Sequence, residues 1–297
     1  MKQGTPKFKT FRDKVRNLDL SPREFVHAEH RKEGTVMGIA HREIISLNKT
    51  STIKQTADKM AVNRVRRLFI TDAKQNLEGM VSATDIVDFL GGGDFYKIVK
   101  NKHNGILEAA ANEPVRLLIT ENPKTIKHTE SIQDALIKMH EDNVGSLPIM
   151  DGKKVVGVVT ERDFTNLLSG YYTNERVSDY MTKDPIVGTV GMELGDVAKV
   201  MIRNGFRRLP IVQKDVLLGV VSTIDLVSAF SHYPKTEILE WKASKLMNPP
   251  ITIPPDSTLS DAAELMRKKS LGGLAVVKNN KFIGVITERD LLKVIGA

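Results

Sequence analysis

Apolar positions along this chain alternate between two spacings. Stretches such as Asp134 to Asp142 and Asp196 to Asn204 place them at helical intervals, whereas Arg208 to Val212 and Leu274 to Val277 are short β-prone runs. A glycine or polar turn follows, then a second short apolar stretch such as Val155 to Val159 or Phe282 to Ile286, which reads as a hairpin partner. The predicted order within each unit is strand, helix, strand, turn, strand, helix, and it recurs four times.

The second hairpin strand always closes on the same wording. Gly-Met-Val-Ser-Ala-Thr-Asp ends at Asp85, Gly-Val-Val-Thr-Glu-Arg-Asp at Asp163, Gly-Val-Val-Ser-Thr-Ile-Asp at Asp225 and Gly-Val-Ile-Thr-Glu-Arg-Asp at Asp290. These aspartates lie 78, 62 and 65 residues apart, far longer than a solenoid repeat, so each repeat is expected to be a small α/β unit. Other landmarks hold the register: Met60, Met139, Met201 and Met266 each precede Leu68, Leu147, Leu209 and Leu274 by eight residues.

Ser82, Thr160, Ser222 and Thr287 stand where a helix N-cap belongs, and each aspartate falls three residues later, in the first turn. Two readings of that pair compete. One is a capping box, in which the N3 carboxylate reaches back to the N-cap amide, although such boxes usually use the longer Glu or Gln. The other is a sugar site: a carboxylate at a strand-to-helix turn accepts both hydroxyls of a ribose, and the helix N-terminus offers amides to a phosphate.

The units also alternate. Before the central strand the first and third carry Arg66-Arg67 and Arg207-Arg208, where the second and fourth carry Gly145-Ser146 and Gly272-Gly273. Ala83-Thr84 and Thr223-Ile224 precede the odd aspartates, Glu161-Arg162 and Glu288-Arg289 the even ones. Paired arginines at the mouth of a ribose pocket suit a phosphate, held by charge-assisted bidentate hydrogen bonds. Their plainer role is a surface pair with a nearby carboxylate, and Arg162 and Arg289 are equally suited to bridging Glu161, Glu288 or a neighbouring unit.

These residues resemble the CBS domain, the cystathionine β-synthase type of repeat, in four tandem copies over about residues 35 to 297. The resemblance is greatest to archaeal stand-alone proteins similar to the gamma regulatory subunit of AMP-activated protein kinase. It implies an α+β fold of four β-α-β-β-α repeats, packed through their sheets as two pseudo-symmetric pairs in a flattened disc. It further implies that Asp85, Asp163, Asp225 and Asp290 hold ribose hydroxyls, with Ser82, Thr84, Thr160, Ser222, Thr223 and Thr287 on ribose or phosphate. Phosphate would fall to Arg66, Arg67, Arg207, Arg208, Arg162 and Arg289. Adenine would lie beside Ile45-Ser46, Lys124-Thr125, Ile186-Val187 and Ile251-Thr252, which read equally well as ordinary strand residues covering the core.

Composition narrows the setting. The chain has 297 residues, 41% of them hydrophobic, and no cysteine, which excludes disulfides, thiolate metal sites and thiol nucleophiles and fits the cytoplasm. No stretch approaches the roughly 20 apolar residues of a membrane span. A net charge of +8 favours polyanionic partners.

The expected divisions are a basic extension over 1–34, repeats over 35–93, 113–170, 171–233 and 234–297, and a linking helix over 94–112. The extension holds nine Lys/Arg against five Asp/Glu, and suits an arm for nucleic acid, an acidic partner or a membrane surface, or more simply a solvated tail or a helix packed on the disc. Its His27 and His30 lack the carboxylates of a metal site. Gly91-Gly92-Gly93 most simply ends a helix. With no nucleotide-loop fingerprint and no assigned nucleophile, the expectation is a regulatory sensor of AMP, ADP or ATP that signals to an unidentified partner protein, with no catalytic cofactor or metal and possible homodimers. Its rivals are a sensor of S-adenosylmethionine or methylthioadenosine, a nucleic-acid binder and a scaffold with empty pockets.

Overall fold

A computed structural model describes residues 34–168 and 174–293. The basic extension with His27 and His30, and most of the connector between repeats two and three, lie outside the described residues. Each repeat forms the predicted units. In repeat one, helix Ile53–Asn63 precedes a hairpin of Arg67–Thr71 and Leu77–Ser82, then helix Ala83–Gly91. The corresponding elements are Ile132–Glu141, Ser146–Asp151, Lys154–Thr160 and Glu161–Leu168; Leu194–Asn204, Arg208–Gln213, Val216–Ser222 and Thr223–His232; and Leu259–Lys269, Gly273–Lys278, Lys281–Thr287 and Glu288–Lys293.

The local reasons are simple. Thr52, Ser131 and Thr258 cap the first helices through boxes closed by Gln55, Asp134 and Asp261. Every first helix turns out onto a left-handed residue at Arg64, Asn143, Gly205 or Ser270. The hairpin turns at Lys214-Asp215 and Asn279-Asn280 have positive φ at both central residues, the twist that a two-residue hairpin needs. The landmark methionines and leucines are all buried, none more than 4% exposed.

A first strand lies parallel to each central strand: Ser46–Leu47 beside Phe69 and Ile70, Ile126–Lys127 beside Ile149 and Met150, Thr252–Ile253 beside Ala275 and Val276. In repeat three it shrinks to one parallel bridge from Gly188 to Ile211. A Cβ at Gly188 would stand 2.8 Å from Leu209 Cδ2 and 3.0 Å from Ile211 Cδ1, so a larger residue there would require those side chains to move.

Repeats pair through exchange of the segments that lead into them. Val36 donates its amide to Glu130 O and is buried in the core of repeats two and four, while Val115 bonds Ser51 O and is buried with repeat one. Val177 bonds Ser257 O, and Ala243 bonds Met192 O, so repeats three and four exchange in the same way. Just beyond, each lead-in covers the outer edge of its partner's hairpin, at His41↔Val158, Thr120↔Met80, Asn248↔Val220 and Thr182↔Val285.

That crossing explains the repeated glycine. A Cβ at Gly79 would stand 2.9 Å from Thr120 O, at Gly157 3.2 Å from His41 O, at Gly219 3.0 Å from Asn248 O and at Gly284 2.7 Å from Thr182 O. The glycine therefore serves backbone approach within the pair.

The two pairs meet through helices, odd repeat to odd and even to even. Helix Ile53–Asn63 packs on Thr223–His232, and Ala83–Gly91 on Leu194–Asn204. One core joins repeats one and three, with Phe89 against Phe230 at 6.0 Å between ring centres. A second core joins repeats two and four around Phe164, Met266 and Leu291. The result is an α+β assembly of four repeats in two pairs.

The linker differs from the expected single helix. It consists of a π-helical turn Ile98–Lys102 and a short helix Leu107–Ala110, because Asn104 and Gly105 between them both take positive φ. The glycine run ends its helix: Gly92 is the left-handed cap, and a Cβ on Gly91 would lie 2.4 Å from that of Ala198. No helix among the described residues is long and apolar enough to cross a membrane.

Candidate functional site

The four aspartates stand at the same point of the same helix, and each makes the capping-box bond. Asp85 Oδ2 accepts from Ser82 N at 2.6 Å and Ser82 Oγ at 2.8 Å. Asp163 does so with Thr160 at 2.7 and 2.8 Å, Asp225 with Ser222 at 2.7 and 2.6 Å, Asp290 with Thr287 at 3.0 and 2.7 Å. The short side chain thus completes the box, as it also does at Asp134 and Asp261, so the choice of Asp over Glu is no sign of another role. Capping occupies only one oxygen of each carboxylate.

The other oxygen distinguishes the repeats. Asp163 Oδ1 receives His41 Nε2 at 2.9 Å, Asp225 Oδ1 receives Asn248 Nδ2 at 3.0 Å, and Asp290 Oδ1 receives Lys293 Nζ at 3.0 Å. Asp85 Oδ1 receives no hydrogen bond among the described residues. Burial, with some repulsion from Asp88, pushes the Asp85 carboxyl above the usual range despite its bonds to Ser82. The even carboxylates are buried, the odd ones half-buried.

Two residues before each aspartate, the helix begins at a buried position held by Ala83, Glu161, Thr223 and Glu288. Their amides bond back to the carbonyls of Arg66, Gly145, Arg207 and Gly272, at 2.8, 3.3, 3.0 and 3.4 Å. This ties the helix start to the residues that alternate between arginine and glycine. Thr223 is therefore packed inward, while Thr84 is half-exposed one position further on.

Around these helix starts the arginines converge. Arg162 Nε bonds Glu288 Oε1 at 3.0 Å and Arg289 Nε bonds Glu161 Oε1 at 2.7 Å, a reciprocal exchange between repeats two and four. Arg207 Nη2 adds a bond to Glu161 Oε2 at 3.1 Å from repeat three. Arg208 Nη1 reaches Gly272 O at 3.4 Å, and Arg66 and Arg67 hydrogen-bond no carboxylate among the described residues.

The even glycines make the space. A Cβ at Gly145 would lie 2.9 Å from Glu161 Oε2 and 3.3 Å from Arg67 Nη2; at Gly272 it would lie 2.5 Å from Glu288 Oε2 and 3.1 Å from Arg208 Nη2. Arginine in one repeat and glycine in its partner are two sides of one contact.

Six guanidinium groups here face two carboxylates. Burial, reinforced by neighbouring arginines, pushes Arg67 and Arg208 down to about 10 and lowers Arg66 as well. Burial alone would raise Glu161, but Arg207 and Arg289 outweigh it and hold its carboxyl below the ordinary range. Cations packed together with too few anions favour an incoming polyanion, and phosphate suits guanidinium geometry.

The expected adenine-side residues lie in register on or beside the first strands. Ile45 O accepts from Phe69 N at 3.2 Å and Ile251 O from Ala275 N at 3.1 Å, so those carbonyls are engaged by the sheet. Lys124 pairs with Asp142 at 2.8 Å. Ile186 and Val187 are exposed apolar side chains, 48% and 43% accessible, where the first strand is shortest.

His41, Asn248 and Lys293 were not among the residues singled out from sequence. A signal existed: His41, Thr120 and Thr182 precede their repeat's landmark leucine by 27 residues and Asn248 by 26. Their partners lie in another repeat, which no local pattern reveals. Among the described residues no cluster of three or more metal-ligating side chains occurs.

The chain matches the CBS domain over residues 36–92, 115–170, 177–232 and 243–297. Protein MJ1225 of Methanocaldococcus jannaschii, itself uncharacterized, is 38% identical over 273 residues, covering 87% of this chain and 98% of that protein. Its crystal structure, presented as that of a proposed archaeal homolog of g-AMPK, matches with a TM-score of 0.82 and 36% identity across 88% of this chain and 99% of that one. An uncharacterized 33.4 kDa protein in the ribosomal RNA operon of Thermofilum pendens is 30% identical over 244 residues, 78% of this chain and 81% of its own. The fold is shared with an uncharacterized protein of Pyrococcus horikoshii, at a TM-score of 0.56 and 19% identity over 88% of this chain and 99% of that one. With four tandem copies of the domain spanning the described residues, this chain belongs to the CBS-domain family.

Proposed function

We propose that this protein is a regulatory sensor of adenine nucleotides. CBS-domain pairs are regulatory ligand-binding modules, and the relative presented as a g-AMPK homolog supports a nucleotide ligand. The observation that carries the reading is the juxtaposition of a cation-rich cluster, six arginines against two glutamates, with helix starts whose aspartates lie two residues on. Ribose hydroxyls would donate to the carboxylate and phosphates would bridge the arginines. The odd arginines Arg66 and Arg67 are the foremost phosphate ligands, since neither hydrogen-bonds a carboxylate among the described residues, whereas Arg207 is held by Glu161.

Signalling follows from the placement of the cluster, where arginines and glutamates of different repeats meet. A nucleotide whose phosphate preferred one arrangement of the pairs would shift the population toward it by its differential affinity, and a partner protein would read the outcome. Calorimetric titration with AMP, ADP, ATP and S-adenosylmethionine tests this. Binding of phosphate-bearing ligands, weakened at least tenfold by Arg66→Ala with Arg67→Ala, is the expected result. Equal or tighter binding of S-adenosylmethionine, indifferent to those substitutions, would transfer the function to adenosine ligands that carry no phosphate.

A further inference from the structure

The same position in each lead-in segment faces the residue after the repeated glycine, five residues ahead of the aspartate: His41↔Val158, Thr120↔Met80, Asn248↔Val220 and Thr182↔Val285. Because the bridge fixes the backbone there, the length and polarity of one side chain decide whether it reaches the carboxylate. Histidine and asparagine do, at 2.9 and 3.0 Å; neither threonine hydrogen-bonds its aspartate. They take Oδ1, the oxygen left over from capping, because Oδ2 already accepts two bonds from the N-cap residue. One of the two acceptor sites on Oδ1 is then filled, so a ribose diol at Asp163 or Asp225 competes with a bond the chain makes to itself. At Asp85 it meets an oxygen that accepts no hydrogen bond among the described residues, and at Asp290 it meets Lys293 from the same helix.

We propose that this exchanged position selects which aspartates accept a sugar: Thr120 leaves Asp85 open, Asn248 plugs Asp225 at every pH, and His41 plugs Asp163 in a protonation-dependent way. The proposal rests on the nucleotide reading above and names its selectivity. Among the described residues, the charged groups facing His41 are Asp163 and Arg162, both on the second helix of repeat two. The hydrogen bond and charge of Asp163 raise the imidazole from its ordinary value, outweighing burial and the repulsion of Arg162. The protonated ring holds Oδ1 most firmly at low pH, and the hold weakens as pH rises through that raised value. Sugar binding at Asp163 should thus strengthen as pH rises through that raised value. Linkage requires the converse, that a bound sugar lowers the pKa of His41.

The test follows the His41 ring resonance by NMR across pH, with and without saturating AMP, assigned by its loss in His41→Ala, alongside calorimetry on the same full-length samples. AMP is expected to lower the midpoint of His41 by about half a pH unit, equivalent to about a threefold gain in affinity at that pocket. His41→Ala should bind AMP more tightly than the parent at pH 6 and flatten the pH dependence. Asn248→Ala should tighten binding equally at every pH. His41 has a side chain 64% exposed, so its truncation leaves the cores intact. If calorimetry shows AMP bound while the His41 titration is unmoved and His41→Ala follows the parental pH profile, the plug is refuted and the nucleotide reading stands. If AMP binds at no pH to parent or variants, the nucleotide reading itself fails, and the plug with it.

Discussion

Odd and even repeats carry the same sentence and do different electrostatic work. Repeats one and three bring arginine pairs to the centre and place half-buried aspartates beside them. Repeats two and four bring the two glutamates, bury their aspartates and cover each with a cationic or ionisable partner from the chain itself. By charge the even repeats are thereby closed units and the odd ones open, although the neutral Asn248 engages Asp225 in repeat three. A duplicated sequence can thus keep its geometry while dividing the charges needed for assembly from those left for a ligand.

Removing the anion at the junction should break this division most severely. Glu161→Gln leaves Arg207 and Arg289 without their shared carboxylate and is expected to lower unfolding free energy by about 3–5 kcal/mol, read from denaturant midpoints. Glu288→Gln, which frees one hydrogen-bonded arginine, should cost less. Added ATP should restore part of the loss in Glu161→Gln, since a bound polyanion replaces the missing charge.

Next in size is steric. Gly91→Ala places a methyl against Ala198 at the contact between odd repeats, where overpacking costs about 1–3 kcal/mol, measurable as a lower melting temperature.

The acid limb distinguishes the two classes by sign. Glu161 has a folded pKa below its unfolded one, so its stabilisation is complete above the unfolded value and is lost as pH falls through the folded value. Melting temperature between pH 5 and 3 should therefore fall more steeply in the parent than in Glu161→Gln. Asp85 is the opposite case: its pKa is raised on folding, so ionising it opposes the fold as pH climbs through that raised value.

Neutralising the aspartates gives the smallest effect. Asp85→Asn should leave the melting temperature at pH 7 unchanged or raise it by about a degree, while abolishing nucleotide binding at repeat one. Asp290→Asn, which releases Lys293, should lower it slightly. Equal responses would erase the distinction between open and closed repeats.

Much of this was legible in the chain. The register of Met60 with Leu68, and of their counterparts, located the buried face of every first helix and central strand, and the hydroxyl-to-aspartate spacing located the second helix start. The alternation of arginine with glycine was visible too, but its cause was not. Gly145 and Gly272 are small because a glutamate and a neighbour's arginine fill the space, a three-body contact between distant segments. The pairing of odd with odd depends on Gly91 meeting Ala198, residues more than a hundred positions apart. Single-residue bridges such as His41↔Val158 have no period to detect, and the linker's helical pattern hid the Asn104-Gly105 break.

The exchange of lead-in segments has a consequence for how the protein is made. A nascent chain that has reached residue 112 holds a finished first hairpin, but the edge Leu77–Ser82 lacks Thr120, and Val36 has no core to enter until Ile126 to Phe164 follow. An exposed strand edge invites wrong partners. Pairing of two repeats supplies the missing edge contact, while the helical faces of repeats one and two stay uncovered until repeats three and four follow. Duplication or loss of a single repeat would strand one borrowed segment and one bare edge, so change in copy number along this lineage of folds is expected to proceed in pairs.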